Sequence, residues 1–567
     1  MIKVLKYPLK TPPLNIFRFS LFVSFLCLLL LSCKKDKDIQ QPPVREKLSY
    51  VSSYVDGVVS SSNTYSGISV NPVIKIIFTD KIENSNISGT ITFAAAGSTN
   101  ISFITSVEKD SILLIKPSAQ LKPFTSYTVT ATRVRSSAGA VLQNPIALKL
   151  STSYDPVDKF PLVSDEQLLD IVQKQTFKYF WDFGHPVSGL ARERETSGDL
   201  VTSGGSGFGI MAVIVGANRQ FVTRAEALTR MQKIVRFLKT DAKRFHGAFP
   251  HWLNGATGAV IPFSAKDNGA DLVETAYLIQ GLLTARQYFN DINPEESALR
   301  SDINSLWNEV DWNWFRRDGE NVLYWHWSPD FNWEMNHKVE GWNEALITYV
   351  LAASSNTSAI PKAVYDDGWA RNGSMRNGSF YFGQQLPLGP PSGGPLFFSH
   401  YSFLGINPKG LMDSYANYET QTLSHTLIHY NYCKANPKGF IGYSEECWGL
   451  TASDDINGYR VHEPTADNGV ISPTAALSSF PYTPDQSMAA LKFFYYKLGD
   501  RIFKEYGFTD AFSLTEPWFA TSSLAIDQGT ALIMIENHRS GLLWNLFMSC
   551  PEVKRGMKDL GFNSPKL

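Results

Sequence analysis

Three carboxylates stand immediately ahead of a long apolar segment of the chain. Asp267, Asp271 and Glu274 precede the nearly uncharged run Ala276–Leu283. This spacing places all three acids on one helix face if the helix begins near Asp267. Crowded and partly desolvated carboxyls acquire different pKa values, which is what a reaction needing one acid and one base requires. The stretch therefore predicts an acid/base site at the mouth of a buried helix.

The same acids also have a purely structural interpretation. The macrodipole and unpaired N–H groups of a helix start favour negative side chains, so Asp267 or Asp271 could be an ordinary N-cap. Glu344, near the start of the apolar pattern 342–350, is a second candidate for a perturbed carboxyl facing the same cavity. Asp527 opens a similar pattern and has the same two interpretations, catalytic group or cap.

Aromatic, acidic and amide side chains are concentrated in the loops of this part of the chain. A pyranose ring offers a C–H face for stacking and hydroxyls for hydrogen bonding, so such loops favour a sugar-binding cleft. The alternative for any single tryptophan is that it packs the core. The segments concerned are 324–327, 332–334, 341–344, 399–401 and 445–454.

Two motifs are set aside because their context does not fit. Gly204–Gly209 precedes a helix but lacks the strand and distal acid of a dinucleotide site, so a tight turn with close helix packing is expected. His425 and His429 lie four residues apart without a third ligand. We therefore expect no metal and no cofactor.

The cysteines after Cys33 are Cys433, Cys447 and Cys550. Their odd number and the lack of C-x-x-C spacing disfavour a disulfide scaffold or a zinc site.

Composition restricts the class of protein. The 567 residues carry a net charge of −1, with 43% hydrophobic and 13% aromatic residues. This is enough for two or more packed domains, and it excludes a disordered chain. The balanced charge offers no electrostatic basis for binding nucleic acid. We expect a monomer.

The N-terminus predicts export and lipid attachment. Residues 1–32 combine basic residues with the short apolar run Leu21–Leu31, as in a signal peptide. Leu30–Cys33 resembles the processing box of bacterial lipoproteins, which implies a lipid on Cys33 and contact with a membrane through that anchor only. Residues 33–46 would form a polar tether, and the protein would be a cell-envelope lipoprotein at the periplasmic face or on the outer-membrane surface. A simply secreted or singly anchored protein is the alternative.

The rest of the chain divides into a β-rich part and a helical part. Residues 47–154 contain short strands separated by turns, which predicts a small sandwich, and Pro72–Phe78 and Leu121–Val129 resemble bacterial Ig-like domains. Residues 160–567 contain about twelve helical segments with alternating short and long loops. This pattern predicts an all-α (α/α)6 barrel, with a long irregular helical bundle as the alternative. Four helix starts carry capping signals: 164–167, 223–226, 293–294 and 483–486.

From about residue 160 to the C-terminus, the chain resembles the glycoamylase-like domain of glycoside hydrolase family 144, the bacterial β-1,2-glucanases. The resemblance implies an (α/α)6 barrel without metal that hydrolyses β-1,2-glucan (sophoran) to short sophorooligosaccharides with inversion. The motifs that carry it are Gly205–Ala212, Asp267–Ala276, Gly341–Ala345, Trp448–Asp454 and Gly507–Phe512.

The resemblance also assigns site residues. It marks Asp267, Asp271, Glu274 and Glu344 as active-site acids, and Glu274 and Glu344 are our first candidates for the acid and the base. An inverting pair would stand about 6.5–9.5 Å apart, unless a proton relay relaxes the rule. The residues that it places in the substrate cleft are Trp448, Asp454, Glu446, His400, Tyr401 and Asp527.

Other functions stay open on the sequence alone. An exo-acting enzyme that releases sophorose, or a hydrolase of another glucan such as starch, belongs to the same chemical class. A glycan-binding lipoprotein without turnover would explain the aromatic loops and the Ig-like domain. A polysaccharide lyase, which also uses α/α barrels, would need a uronic-acid polymer. The neutral charge balance argues mildly against a lyase.

Overall fold

The computed structural model describes residues 47–567 except Asn86 and residues 97–99. The predicted signal peptide (1–32), Cys33 and the tether up to residue 46 lie outside the described residues. Within the described part of the chain, no helix combines the length and apolar character needed to cross a membrane.

Residues 50–152 form an all-β region of two facing sheets. One sheet has the strand order β2-β1-β4-β7-β6 and the other β3-β9-β8-β5, in which only the β3–β9 pair is parallel. Residues alternate between the two faces of each strand, so Ile74, Ile76 and Phe78 of β4 lie in the core between the sheets. The strands are β1 Tyr50–Val55, β2 Val58–Val59, β3 Thr64–Ile68, β4 Ile74–Phe78, β5 Ile91–Ala95, β6 Phe103–Glu108, β7 Ile112–Pro117, β8 Ser126–Ala131 and β9 Ile146–Thr152.

Helices dominate from residue 165 onward. Ser164 and Thr223 each form a capping box with the residue three positions later, and Asn293 caps the helix that starts with Pro294. These three helix starts depend on residues that are only a few positions apart in the sequence, and they were predicted correctly. The helices are α1 Asp165–Trp181, α2 Ser203–Asn218, α3 Arg224–Thr240, α4 Leu272–Tyr288, α5 Pro294–Glu309, α6 Leu346–Ser354, α7 Lys362–Val364, α8 Tyr418–Ala435, α9 Pro473–Leu477, α10 Pro484–Lys492, α11 Leu498–Ile502, α12 Ala525–Arg539, α13 Leu542–Phe547 and α14 Pro551–Leu560.

The most buried helices pack against each other in succession. Helix α2 contacts α4 and α12, and α4 also contacts α6. The crossing of α2 and α4 is very close because glycines face each other there. A Cβ on Gly207 would lie 2.2 Å from the Tyr277 carbonyl oxygen, and one on Gly281 would lie 2.3 Å from the Gly207 carbonyl oxygen. The glycine-rich motif thus serves close helix packing, as predicted, but it forms the first turns of α2 rather than a turn.

The starts of two helices matter for the acids. Helix α4 begins at Leu272, so the condition of a start near Asp267 is not met, and α6 begins at Leu346, after the start of the pattern 342–350. Thr483 precedes α10 without a side-chain cap. In both α4 and α6 the preceding residues are held by tertiary contacts that propensity does not record. The short helix α9 was not predicted.

Candidate active site

The predicted acid cluster exists, but not on one helix face. Asp271 is the N-cap of α4, and its Oδ1 accepts hydrogen bonds from the amides of Val273 (3.0 Å) and Glu274 (2.9 Å). Asp267 lies in the preceding loop, where its amide donates to the Ser264 carbonyl oxygen. Only Glu274 is inside the helix. All three acids are buried, and Asp271 is an N-cap, as the structural interpretation predicts, while its catalytic role stays a prediction.

Two histidines face these acids from other parts of the chain. His251 Nδ1 lies 3.0 Å from Asp271 Oδ2. His326 Nε2 lies 3.4 Å from Asp267 Oδ2 and 3.6 Å from Asp271 Oδ2. The backbone pairing of Asp271 with His326 in a short antiparallel ladder brings this histidine to the site. The carboxylates of Asp267 and Asp271 therefore share a pocket with two imidazoles.

The charges of this group can be assigned from burial and neighbours. Burial lowers the pKa of His251, but Glu274 and then Asp271 outweigh it and raise the pKa to about 9. Burial would raise the pKa of Asp271, yet the hydrogen bond with His251 leaves it lowered. Burial and the charge of Asp271 raise the pKa of Asp267 to about 7. Burial lowers the pKa of His326 to about 4, so that ring is neutral near pH 7. A charged His251–Asp271 pair results.

Glu274 faces the start of α2. Its Oε2 accepts hydrogen bonds from the Gly204 amide at 2.7 Å and from the Thr202 hydroxyl at 3.3 Å. A Cβ on Gly204 would lie 2.4 Å from that oxygen, so only glycine allows this approach. Burial raises the pKa of Glu274, while these donors and His251 counteract the shift. Donors at a helix N-terminus favour the ionised carboxylate.

Glu344 reaches the same region from the loop before α6. The Tyr277 hydroxyl, on the second turn of α4, donates to the Glu344 carbonyl oxygen at 3.3 Å. Burial, with further contributions from Glu274 and Asp271, raises the pKa of Glu344 to about 7. This carboxyl therefore keeps its proton up to about pH 7, well above the range in which an exposed glutamate loses it. The four acids form one electrostatic group with a protonated and an ionised member, which suits acid/base catalysis.

One subset of this group has the spacing of a metal site. Ligand atoms of His251, Asp267 and Asp271 lie within 4.8 Å of one another. Metal ligation requires a neutral imidazole, whereas the surrounding carboxylates raise the pKa of His251 to about 9 and favour its protonated form. The donor set is therefore better matched to a His–Asp ion pair than to a cation.

A second group of acids surrounds Asp454. Its carboxylate lies 3.0 Å from Arg194 Nη1 and accepts a hydrogen bond from the Ser522 hydroxyl. Its amide donates to Asp510 Oδ2 at 2.5 Å. Burial raises the pKa of Asp510 to about 7, and burial with the nearby Asp510 raises that of Asp527. Asp527 is thus a buried acid inside α12 rather than a cap.

The remaining predicted cleft residues lie in different environments. Trp448 is completely buried and its indole N–H donates to the Gln486 carbonyl oxygen at 3.2 Å, so it is a core residue and offers no face to a sugar. His400 is buried with its Nε2 3.1 Å from the Ser479 hydroxyl. Tyr401 packs against Phe208 and Tyr277 beside the acids. Glu446 is exposed on the surface near Tyr154. The burial of Trp448 therefore corrects the predicted cleft, whereas a substrate contact by Glu446 stays a prediction.

Four residues near the acids are not among the predicted site residues: His251, His326, Arg194 and Asp510. His326 lies in the aromatic segment 324–327 and Asp510 in the motif 507–512, and either segment could have indicated them. No motif or spacing marks His251 or Arg194. The histidine pair that spacing did mark, His425 and His429, is buried, and both Nε2 atoms lie 2.8 Å from the Gly394 carbonyl oxygen.

Family comparison finds two domains. The Glycoamylase family model, described as a glucoamylase, matches residues 336–551, and a bacterial Ig-like domain model matches residues 57–153. An exo-β-1,2-glucooligosaccharide sophorohydrolase (non-reducing end) from Parabacteroides distasonis is 46% identical over 420 residues. The alignment covers 70% of this chain and 58% of that protein. The chain therefore matches little more than half the length of this curated relative.

Two solved structures of other proteins are also similar to this chain. An endo-β-1,2-glucanase from Chitinophaga pinensis, determined with sophorotriose and glucose, is 52% identical with a TM-score of 0.70, over 72% of this chain and 100% of that one. A β-1,2-glucanase from Parabacteroides distasonis is 37% identical with a TM-score of 0.69, over 91% of this chain and 73% of that one.

Proposed function

We infer that this chain hydrolyses β-1,2-linked glucan to short sophorooligosaccharides, since it belongs to the glycoamylase-like family of bacterial β-1,2-glucanases, glycoside hydrolase family 144, and carries a bacterial Ig-like domain. The helical part would be an (α/α)6 barrel with the acids at the helix ends on one side. The relatives support the substrate, and the acid group supports the chemistry.

The observation that carries this proposal is the different environment of two neighbouring glutamates. Burial, with Glu274 and Asp271, raises the pKa of Glu344 to about 7, so a substantial fraction of this carboxyl is protonated near neutral pH. Glu274 receives hydrogen bonds from the Gly204 amide and the Thr202 hydroxyl, which favour its ionised form. Glycosidic cleavage needs one proton donor and one ionised carboxylate.

In the proposed mechanism, Glu344 donates its proton to the glycosidic oxygen as the C–O bond breaks. Glu274 accepts a proton from a water molecule, which attacks the anomeric carbon from the opposite face of the ring. The products are a free hydroxyl on one fragment and a new reducing end of inverted configuration on the other. The charged His251–Asp271 pair, with Asp267, would position the sugar and maintain the field of the site.

Parallel digests test the substrate and the mechanism. Linear β-1,2-glucan, laminarin and starch are incubated separately, and released sugars are followed by chromatography and early-time NMR. We expect oligosaccharides from β-1,2-glucan alone, with the α-anomer appearing first. Sugar from starch alone, an unsaturated product from a uronic-acid polymer, or binding without products would each overturn the proposal.

A second mode of action has specific support. The sophorohydrolase from Parabacteroides distasonis is named for exo action at the non-reducing end, whereas the Chitinophaga pinensis enzyme is named an endo-glucanase. The size distribution of early products separates the two modes. A ladder of oligosaccharides indicates endo cleavage, and sophorose as the sole early product indicates exo cleavage.

We expect activity to decline at alkaline pH. The general acid must be protonated in the free enzyme, and the pKa of Glu344 is raised to about 7. Its protonated fraction is complete well below pH 7 and falls as pH rises through that value. The measured kcat/KM for β-1,2-glucan should therefore fall about tenfold per pH unit above about 8. An aryl β-sophoroside with a good leaving group needs no such proton and serves as the control. Equal alkaline declines for both substrates would contradict the role of Glu344.

We also propose that the protein is attached to the cell envelope through a lipid on Cys33, which lies outside the described residues. The proposal rests on the sequence Leu30–Cys33 after the apolar run. Cys33→Ala should move the protein from the membrane fraction to the soluble fraction, as measured by fractionation and mass spectrometry of the N-terminal peptide. Unchanged fractionation would contradict it.

A further inference from the structure

A cleft next to Asp454 has features that the catalytic step does not use. It is lined by Arg194, Asp454, Tyr459 and Trp518 and encloses about 350 Å³. Such a volume is within the range of about 300–1,000 Å³ typical of ligand sites. Tyr459 is 47% exposed and Trp518 is partly exposed. Two accessible aromatic rings thus lie beside an arginine–carboxylate pair.

This combination suits a sugar ring. An aromatic face stacks on the C–H side of a pyranose, while a carboxylate and a guanidinium bond its hydroxyls. Asp454 and Arg194 are held at 3.0 Å from each other, and Glu193 binds the guanidinium from its other edge at 2.8 Å. The polar groups are therefore positioned before any ligand arrives, which reduces the entropy lost on binding.

The cleft lies near the acid group that contains Glu274. Helix α12 begins at Ala525, whose Cβ would be only 2.8 Å from a Cβ on Gly205, and the adjacent Gly204 amide binds Glu274. The Ala525 amide also donates to the carbonyl oxygen of Glu193, the residue before Arg194. The start of α12 therefore contacts both the Gly204 side of the acid group and the Arg194 side of the cleft.

The outer wall of the cleft contacts the Ig-like domain. The wall is the hairpin 512–519, in which Phe512 pairs with Phe519 and Ser513 with Trp518. Phe124, in the loop between β7 and β8, contacts Phe519 edge-on with 5.1 Å between ring centroids. The guanidinium of Arg501 lies 5.9 Å from the Phe124 ring and 6.0 Å from the Phe519 ring.

The backbone of Phe124 has a defined conformation. Phe124 lies in the turn before β8, and its φ of +52° is in the left-handed region, which is uncommon for a bulky residue. The surrounding loop holds this conformation through the Phe124 amide, which donates to the Ser153 carbonyl oxygen. The domain thus presents one aromatic ring to the residue next to Trp518.

We propose that the cleft between Tyr459 and Trp518 binds glucose units of the glucan remote from the bond that is cleaved, and that the Ig-like domain supports its outer wall through Phe124. This inference rests on the proposed function, because it takes β-1,2-glucan as the ligand. Trp518 would contact the substrate, whereas Phe124 is a positioning residue that acts through Phe519.

Steady-state kinetics on two substrates test the proposal. The substrates are linear β-1,2-glucan and the shortest β-1,2-oligosaccharide that the unmodified protein cleaves. Trp518→Ala and Phe124→Ala should raise KM for the polymer about three- to tenfold while leaving kcat and the short-substrate constants unchanged. Phe124→Tyr, which keeps the ring, should restore the polymer KM.

Tyr154→Ala is the matched control. Tyr154 also contacts the helical domain, but it packs on Phe493, with 5.3 Å between the two ring centroids, whereas Phe124 packs on Phe519. It should leave both sets of constants unchanged, and thermal melting should show that all variants are folded.

The outcomes separate this inference from the proposed function. Normal polymer KM in both Trp518→Ala and Phe124→Ala would overturn the inference while the hydrolase proposal stands. A change in Trp518→Ala alone, or an equal change in Tyr154→Ala, would overturn the support by the Ig-like domain. Unmodified protein that cleaves no β-1,2-glucan would overturn the proposed function and the inference with it.

Discussion

Glu344→Gln should reduce kcat on β-1,2-glucan by about 10²- to 10⁴-fold, the usual contribution of a general acid. Glutamine has nearly the same shape but cannot donate the proton that the buried carboxyl holds at neutral pH. The Tyr277 and Ser402 hydroxyls donate to the backbone carbonyl oxygen of Glu344, which the substitution keeps, so we expect an unchanged fold. Initial rates measure the change in kcat, and circular dichroism on the same preparation measures whether the fold is unchanged.

The choice of substrate separates the two glutamates. An aryl β-sophoroside with a good leaving group should be hydrolysed nearly normally by Glu344→Gln, because its leaving group needs no protonation. Glu274→Gln should be inactive on both substrates, because the water still needs a base. Glu340→Gln is the matched control, since Glu340 is exposed four residues away and should behave as the unmodified protein. Equal losses on both substrates for Glu344→Gln would contradict its role as proton donor.

Gly207→Ala should destabilise the helical domain by about 3 kcal/mol or prevent folding. Overpacking of a rigid core costs about 1–3 kcal/mol, and it costs more where the added atom clashes with backbone atoms. The added Cβ would meet the Tyr277 carbonyl oxygen at 2.2 Å and the Leu278 Cα at 2.7 Å. These are backbone atoms of α4 and cannot move without displacing the helix that carries Glu274. Calorimetry should show a lower Tm, and activity should fall with it.

Gly439→Ala is the control for the backbone effect alone. Gly439 has a φ of +69°, and no atom lies within 4 Å of its Cβ position. Its substitution should cost only about 1 kcal/mol from the left-handed conformation. Gly281→Ala should resemble Gly207→Ala, since its Cβ would meet the Gly207 carbonyl oxygen. A Gly207→Ala protein as stable as Gly439→Ala would show that α2 and α4 can separate without cost.

The features predicted correctly from sequence are those that depend on neighbouring residues. The capping boxes at Ser164 and Thr223 involve groups three residues apart, and the alternating β4 pattern needs only the two-residue period of a strand. The family resemblance also depends on short ordered motifs, and the comparisons confirm it. The (α/α)6 arrangement stays a prediction.

The sequence predictions failed for features that depend on contacts between distant parts of the chain. The three acids would share one helix face only if the helix began near Asp267, but the pairing of Asp271 with His326 keeps this part extended, and α4 starts at Leu272. The motif around Trp448 suggested an accessible ring, whereas the core formed by distant segments buries it completely. Burial of a given side chain depends on contacts that local pattern does not contain.

For the site, the sequence by itself determined which carboxyls are present and that Asp267, Asp271 and Glu274 lie close together. Only the tertiary structure decided the protonation states of these carboxyls. It brings His251 beside Asp271, directs the Gly204 amide to Glu274 and desolvates Glu344. The physical reason is that a pKa depends on desolvation, charge and hydrogen bonds in three dimensions, and these come from residues tens of positions apart in the chain.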